Sequence, residues 1–433
     1  MNEGQLMALE RFREGKNIFL TGSAGTGKTF TLTAMKRAAH AAGKNIGVTA
    51  TTGSAAILIG GRTIHSFLGI GLAKESAQAL AMSVLTSRSP FSAALLSKIR
   101  SLDILVIEEI SMMDAVLFDK ISDYLCLLRD YGCGGDEATT THADAGKSKT
   151  RTFGGLQMVL LGDMFQLPPV RGEYCFKSRA WLGLEPEIVM LTKLMRQKDD
   201  ENFQRILEEV RWGSCSKETL SQLEGLTRTE FEHAVEPTIL FCRNVNVDAI
   251  NDTKFKELVD GSSGVSVVPI RTMHSCAKAK TWAAGCKIPD VLEICKGAQV
   301  VVTWNISQDS GVVNGTRGVV KHISASCDCV TLEVKDGRQI FISPITIKDE
   351  DAKHVWVTFM PLKLAWAITV HRSQGMTLDA VVLALGDVFE YGQAYTALSR
   401  VRDLKCVRLL TIRPDSFRTH PDVLRFAQSF LLP

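Results

Sequence analysis

No apolar run in this chain approaches the ~18 residues that a membrane-spanning helix needs, and no Cys-x-x-Cys pair occurs in its 433 residues. The first absence excludes a spanning helix. The eleven cysteines are scattered and odd in number, and the one close pair, Cys327 and Cys329, has no second pair near it. That pattern argues against a disulfide framework and against a zinc site, and it fits reduced thiols. An excess of one charge is also missing. Lys plus Arg number 50 against 47 Asp plus Glu, a net charge of +3, so a nucleic-acid site has to be a local groove. The first residues, "MNEGQLMALERFREGKNIFL", carry no signal-peptide core and begin with a helix-like pattern. No tandem repeat at solenoid periods occurs. The expectation is an intracellular protein without membrane association, long enough for about three domains of ordinary size.

The sharpest positive signal is "NIFLTGSAGTGKT", residues 17–29. A buried strand runs into a turn spaced G-x-x-x-x-G-K-T, and a helix-compatible run, "FTLTAMKRAAHAA", follows. Glycines at this spacing let backbone N–H groups wrap phosphates, while the helix presents its positive end to them. Gly22, Ser23, Ala24, Gly25, Thr26, Gly27, Lys28, Thr29 and Phe30 are therefore the expected nucleotide-binding residues. Lys28 can reach the β- and γ-phosphates, and the Thr29 hydroxyl can bind Mg²⁺.

A second buried strand, in "LVIEEISM" (residues 105–112), ends in Glu108 and Glu109. Adjacent side chains on a strand point to opposite faces, so the two acids cannot share one task. Glu108 is expected to serve the Mg²⁺, directly or through water, and Glu109 to orient or deprotonate an attacking water. A simpler reading has the pair favouring the N-terminus of the following helix. A third strand, in "MVLLGDMFQLPPV" (158–170), ends in Asp163, and Gln166 beyond it suits a γ-phosphate sensor. Downstream, "AWAITVHRSQGMTLD" (365–379) offers His371, Ser373, Gln374 and Thr377 as donors to phosphate oxygens. Arg400 in "GQAYTALSRVRDL" and Arg196 in "LTKLMRQ" are candidates to neutralise transition-state charge.

Taken together, "GSAGTGKT", "VTATTGSAAILIGGRTIHSFLGI", "GDMFQLPPV", "VHRSQGMTLD" and "AYTALSR" resemble the ordered motifs of superfamily 1B DNA helicases. Within these the chain is similar to the Pif-type (petite integration frequency) helicases. "AVLFDKISDYLCLLRD", with "TFGGLQMVLLGD" beyond an insert, resembles that family's signature. The resemblance runs from Gln5 to about Leu410. It implies a 5′-to-3′ motor on single-stranded DNA, with two RecA-like α/β domains that clamp ATP between them. It also implies Gln5 as the adenine reader, Gln166 as the γ-phosphate sensor, and Arg196 and Arg400 as the arginines that reach the phosphates. Thr51, His65, His371, Ser373 and Thr377 fall in segments that line the DNA path. ATP and Mg²⁺ are the implied cofactors, and single-stranded DNA and single-strand/duplex junctions the partners. A monomer in isolation is implied, with a place in DNA repair, recombination and telomere maintenance, in the nucleus or mitochondrion of a eukaryote. The family pattern puts Asp-Glu where this chain has Glu108-Glu109. An alternative is therefore an ATP-binding DNA clamp or scaffold that hydrolyses poorly.

The expected fold is two RecA-like parallel-sheet P-loop domains with small accessory insertions. Residues 1–190 would form domain 1A, with a small wedge-carrying 1B piece near 67–89. Residues 191–256 and 362–433 would form domain 2A. Residues 257–361 would form 2B, with an SH3-like β-barrel near 297–345 and an Asn-Gly turn at Asn314–Gly315. The stretch 132–150 is polar and Gly/Thr-rich, and reads as a mobile surface loop rather than a metal site at His142 and Asp144.

Overall fold

The computed structural model describes residues 1–130, 152–229, 237–243, 245–261, 265–286, 288–304, 306, 312, 314–334, 336–348 and 354–431. The polar stretch 132–150, with His142 and Asp144, lies outside the described residues. The chain divides into Met1–Leu194 with Ser429–Pro433, and Met195–Gln428.

The first unit opens with α1 (Glu3–Arg13). Its start is a reciprocal cap: Gln5 N donates to Asn2 Oδ1 and Asn2 N to Gln5 Oε1, each at 3.0 Å. There follow β1 (Ile18–Gly22), α2 (Lys28–Ala41), β2 (Ile46–Ala50), α3 (Gly53–Leu58), β3 (Arg62–Thr63), α4 (Ile64–Leu68), α5 (Ala77–Leu85) and α6 (Pro90–Ser101). The rest comprises β4 (Ile104–Glu108), α7 (Ala115–Asp130), β5 (Gln157–Leu161), α8 (Arg179–Leu184) and β6 (Glu187–Leu191). The six strands form one sheet in the order β3-β2-β4-β5-β1-β6. Every pairing in it is parallel.

This pattern explains the oily runs of the sequence. A parallel sheet is covered on both faces, so its central strands read as unbroken apolar residues. Leu20, Val106, Val159 and Leu161 join Leu32 and Met35 of α2 in one buried cluster. Because all strands run one way, the ends of β1, β4 and β5 lie on one edge, where such folds bind ligands. The expected 67–89 accessory piece contains α5, whose Ala77, Ala81 and Val84 are buried. The Tyr124 hydroxyl on α7 ties that region down by donating to Leu68 O at 3.0 Å.

The two halves of the family-like signature meet in space. Phe153 N donates to Ser122 Oγ at 3.0 Å, Gly154 N to Cys126 Sγ at 3.2 Å, and Arg129 Nε to Gly154 O at 2.9 Å. Arg129 Nη1 also reaches Ile99 O at 2.7 Å and Leu102 O at 2.8 Å, which satisfies carbonyls at the end of α6.

The second unit contains α9 (Glu201–Trp212), α10 (Lys217–Gly225), β7 (Thr238–Phe241), α11 (Val245–Gly261), β8 (Val268–Arg271), β9 (Met273–His274), α12 (Ala277–Gly285) and β10 (Val291–Ile294). Next come β11 (Gln299–Val302), β12 (Arg317–Ile323), β13 (Val330–Val334), β14 (Gln339–Ile342), β15 (Ile345–Lys348), β16 (Trp356–Phe359) and β17 (Leu362–Leu364). The chain then returns through β18 (Ala367–Thr369), β19 (Val381–Ala384), α13 (Gln393–Leu398), β20 (Val407–Thr411) and α14 (Pro421–Leu431). The core is a parallel sheet in the order β18-β7-β19-β20.

Inserted into it is an antiparallel sheet in the order β14-β13-β12-β11-β17, with smaller sheets β15-β16-β9 and β10-β8 beside it. α11 runs on to Gly261. The inserted sheet includes β17, which pairs with β11, Val301 opposite Lys363. The core strands resume at Ala367. Asn314 and Gly315 do form a turn, but at the foot of β12; the connection from β11 spans 303–316 and is no two-residue hairpin link.

Candidate functional site

The loop between β1 and α2 is built by backbone that only glycine adopts easily. Gly22, Gly25 and Gly27 have φ of 143°, 90° and 92°. A Cβ on Gly22 would stand 2.3 Å from Leu191 O, so this glycine also lets β1 lie against β6. Lys28 folds into the loop and donates from Nζ to Gly22 O at 2.7 Å and Ser23 O at 3.2 Å. Thr26 is fully buried, and its hydroxyl donates to Ser23 O at 2.9 Å. Phe30 is 60% exposed. Gln5 Nε2 donates to Thr26 O at 3.4 Å, so α1 touches the loop directly.

Across the sheet edge, Thr29 Oγ1 donates to Glu108 Oε1 at 2.7 Å. Burial and then the neighbouring Glu109 charge push the Glu108 carboxyl up to about 7, against the Thr29 hydrogen bond and the Lys28 charge. Two hard oxygens at this separation suit Mg²⁺, whose adjacent octahedral ligands, at bonds of about 2.0–2.1 Å, stand about 2.9 Å apart. The residues present therefore fit the ion.

Glu109 turns off the strand with φ 55° and ψ 44°, a left-handed conformation uncommon for a side-chain-bearing residue. Its carbonyl accepts from Thr51 Oγ1 at 2.9 Å, and Thr51 N donates to Glu108 O at 3.1 Å. Thr51, at the end of β2, thus fixes the backbone of both acids. On the next strand end, Asp163 is fully buried and accepts from Phe165 N at 3.3 Å, while Gln166 N donates to Asp163 O at 3.0 Å. That turn sets the buried Gln166 side chain.

In the second unit both candidate arginines converge on Ser399. Arg196 Nη1 donates to Ser399 O at 2.7 Å, and Arg400 Nη2 to Ser399 Oγ at 2.8 Å. Arg400 Nε also donates to Thr396 O at 2.8 Å, and the side chain is only 2% exposed. Gln197 Nε2 donates to Val401 O at 2.6 Å, which keeps the 195–197 segment on this turn.

A family model described as PIF1-like helicase matches residues 5–221. The chain belongs to this family. It is 36% identical to the ATP-dependent DNA helicase PIF1 of Homo sapiens over 442 residues, covering 98% of this chain and 63% of the human protein. The chain thus spans under two thirds of that relative's length. It is 32% identical to the ATP-dependent DNA helicase Pif1 of Bdellovibrio bacteriovorus, covering 98% of this chain and 91% of that one. The Pif1 helicase of Candida albicans superposes with a TM-score of 0.77 at 29% identity, covering 99% of each chain. Bacteroides sp. Pif1 in complex with ADP-AlF4 gives a TM-score of 0.77 at 26% identity, covering 99% of this chain and 96% of that one.

The five residues expected along a DNA path of a PIF1-like helicase are presented unequally. His65, on α4, is partly buried, and burial holds its imidazole below the ordinary histidine range. Thr51, His371 and Thr377 are partly accessible. Ser373 is fully buried and its hydroxyl donates to Val370 O at 2.7 Å, so it shapes the turn. Gln374 is likewise buried. Ser399, which joins the two arginines, was not singled out from the sequence; its only signal there is its place before Arg400.

Proposed function

We propose that this chain is an ATP-driven motor that moves 5′ to 3′ on single-stranded DNA and opens duplexes at junctions. The carrying observation is the cluster of Lys28, Thr29 and Glu108 at one sheet edge, with Glu109 just past β4 and Gln166 in the turn after β5. Loop N–H groups and the start of α2 bind the phosphates. Lys28 leaves its loop carbonyls for the β- and γ-phosphates, and Thr29 and Glu108 would hold Mg²⁺. The ion, when bound, neutralises phosphate charge. Glu109 orients the attacking water or takes its proton, and Gln166 responds to the γ-phosphate. Arg196 and Arg400 stabilise charge that grows in the transition state.

Support for DNA as the track comes from the relatives. One solved Bacteroides Pif1 is described as bound to single-stranded DNA, and another structure as two Pif1 helicases at forked duplex DNA. The forked-DNA structure is described as one of DNA unwinding; DNA maintenance is the proposed setting, with the chain working as a monomer. The Glu108 carboxylate still meets the Thr29 hydroxyl, which favours a working metal site over the inactive clamp that the replacement of aspartate suggests. Hydrolysis measured with and without single-stranded DNA tests the reading. Stimulation by DNA, its loss in Lys28→Ala with DNA binding retained, and unwinding of 5′-tailed but not 3′-tailed duplexes are expected. Full turnover without DNA would overturn it.

A further inference from the structure

The segment 374–380 belongs to no helix or strand, so its position is set by what it touches. One contact comes from the inserted sheet. A Cβ placed on Gly315 would stand 2.4 Å from Thr377 O and 3.1 Å from Thr377 N, so backbone lies directly on backbone there. Gly315 has φ 96°, and its N–H donates to Val302 O at 2.9 Å; Val302 N donates to Thr316 O at 2.8 Å. Those bonds fasten the turn to β11, and Asn314 beside it is buried. On the far side of the same segment, Leu378 N donates to Arg400 O at 2.9 Å. Arg400 in turn holds Ser399, which accepts from Arg196. An unbroken run of backbone contacts and hydrogen bonds therefore joins the inserted sheet to both arginines.

We propose that the Asn314–Gly315 turn is a positioning element for Arg400, fixing the Thr377–Leu378 backbone so that the arginine pair stands correctly for the nucleotide phosphates. This deepens the proposed ATPase and rests on it. Gly315 touches no reacting atom, so it acts through Arg400 alone. Positional errors at such a group are costly, since about 1 Å of misplacement can cost on the order of 10²-fold in rate.

The test is Gly315→Ala in the full chain. Its kcat for DNA-stimulated hydrolysis should fall about tenfold or more, with little change in the KM for ATP, because transition-state rather than ground-state binding is lost. The Leu378 amide should exchange faster, while amides of β7 and β19 exchange as before. In an Arg400→Ala background the same substitution should add no further loss, since the group it acts through is gone. Gly337→Ala is the control: Gly337 has φ 79° in the same sheet, but nothing lies within 4 Å of its Cβ position, and turnover should be unchanged. Should Gly315→Ala not fold, Asn314→Gly loosens the turn without adding an atom. It should slow turnover in the wild-type background and be silent in Arg400→Ala. An unchanged kcat, or a loss that multiplies with that of Arg400→Ala, would overturn the proposal. A wild-type chain that hydrolyses no ATP would instead strike the proposed function, and Leu378 exchange would still report on the coupling.

Discussion

Thr29 Oγ1 and Glu108 Oε1 stand 2.7 Å apart, so the phosphate loop and the end of β4 are joined by one hydrogen bond. The family pattern that the sequence resembles has aspartate at the position of Glu108. Glutamate adds a methylene, about 1.5 Å of reach, and its carboxylate meets the Thr29 hydroxyl. A metal must then share or displace that contact. We expect Glu108→Asp to turn over faster and to saturate at lower Mg²⁺ in a DNA-stimulated ATPase assay. An unchanged rate and metal curve would show that the strand has already adjusted to the longer side chain.

The Glu108 carboxyl, raised to about 7, gives a pH dependence of known sign. Between its ordinary value and about 7, the folded chain holds a proton that the unfolded chain has released. Stability without metal should therefore decline as pH rises through that window. Mg²⁺ needs the carboxylate, so its apparent affinity should weaken below about pH 7 as the proton competes for the same oxygens. Metal-free melts and Mg²⁺ titrations at several pH values, with Glu108→Gln as the reference that cannot titrate, check the two slopes.

If Arg400 acts as proposed, Arg400→Ala should slow hydrolysis by about 10³-fold or more, in the range of arginine fingers. ATP binding should weaken far less, because the charge in question develops at the transition state. Arg400→Lys should rescue little. The guanidinium uses Nε and Nη2 in two directions at once, toward Thr396 O and Ser399 Oγ, and an ammonium cannot reproduce that fork. Near-normal turnover in either variant would remove Arg400 from the catalytic assignment.

Deleting residues 134–149 should leave melting temperature and ATPase nearly unchanged. Ser122, Cys126 and Arg129 of α7 already bind the 153–154 backbone, so the two chain ends are pinned by contacts that the deletion spares. By contrast, Arg129→Ala should lower stability by about 1–3 kcal/mol, since it strips partners from carbonyls of Ile99, Leu102 and Gly154. Thermal melting of the two variants side by side decides it.

The loop at 22–29, the strand that ends in Glu108 and the strand that leads toward Asp163 were readable because each couples a local pattern to a chemical requirement. Buried parallel strands announce themselves as short apolar runs. Strand order was not readable, since every crossover in such a sheet looks alike in sequence. β17 escaped because it is three residues long with Lys363 at its centre, and only its pairing with β11 identifies it. α5 lay hidden in a stretch read as an accessory wedge, although Ala77, Ala81 and Val84 fall at helical spacing. The roles of Ser399 and Gly315 depend on contacts between residues far apart in the chain, and no local spacing encodes those.

Gln5 has three claimants. Its carboxamide oxygen holds the first turn of α1 through Asn2 N, and its nitrogen rests on Thr26 O of the phosphate loop. Family resemblance assigns the same group to the adenine ring. The amide has a second N–H and a second lone pair, so a base can recruit it while it stays tied to the helix start and to the loop. Recognition of the purine and readiness of the loop would then be two readings of one rotamer, and a nucleotide with the wrong base would be discriminated in how the loop settles as well as in how tightly it is held.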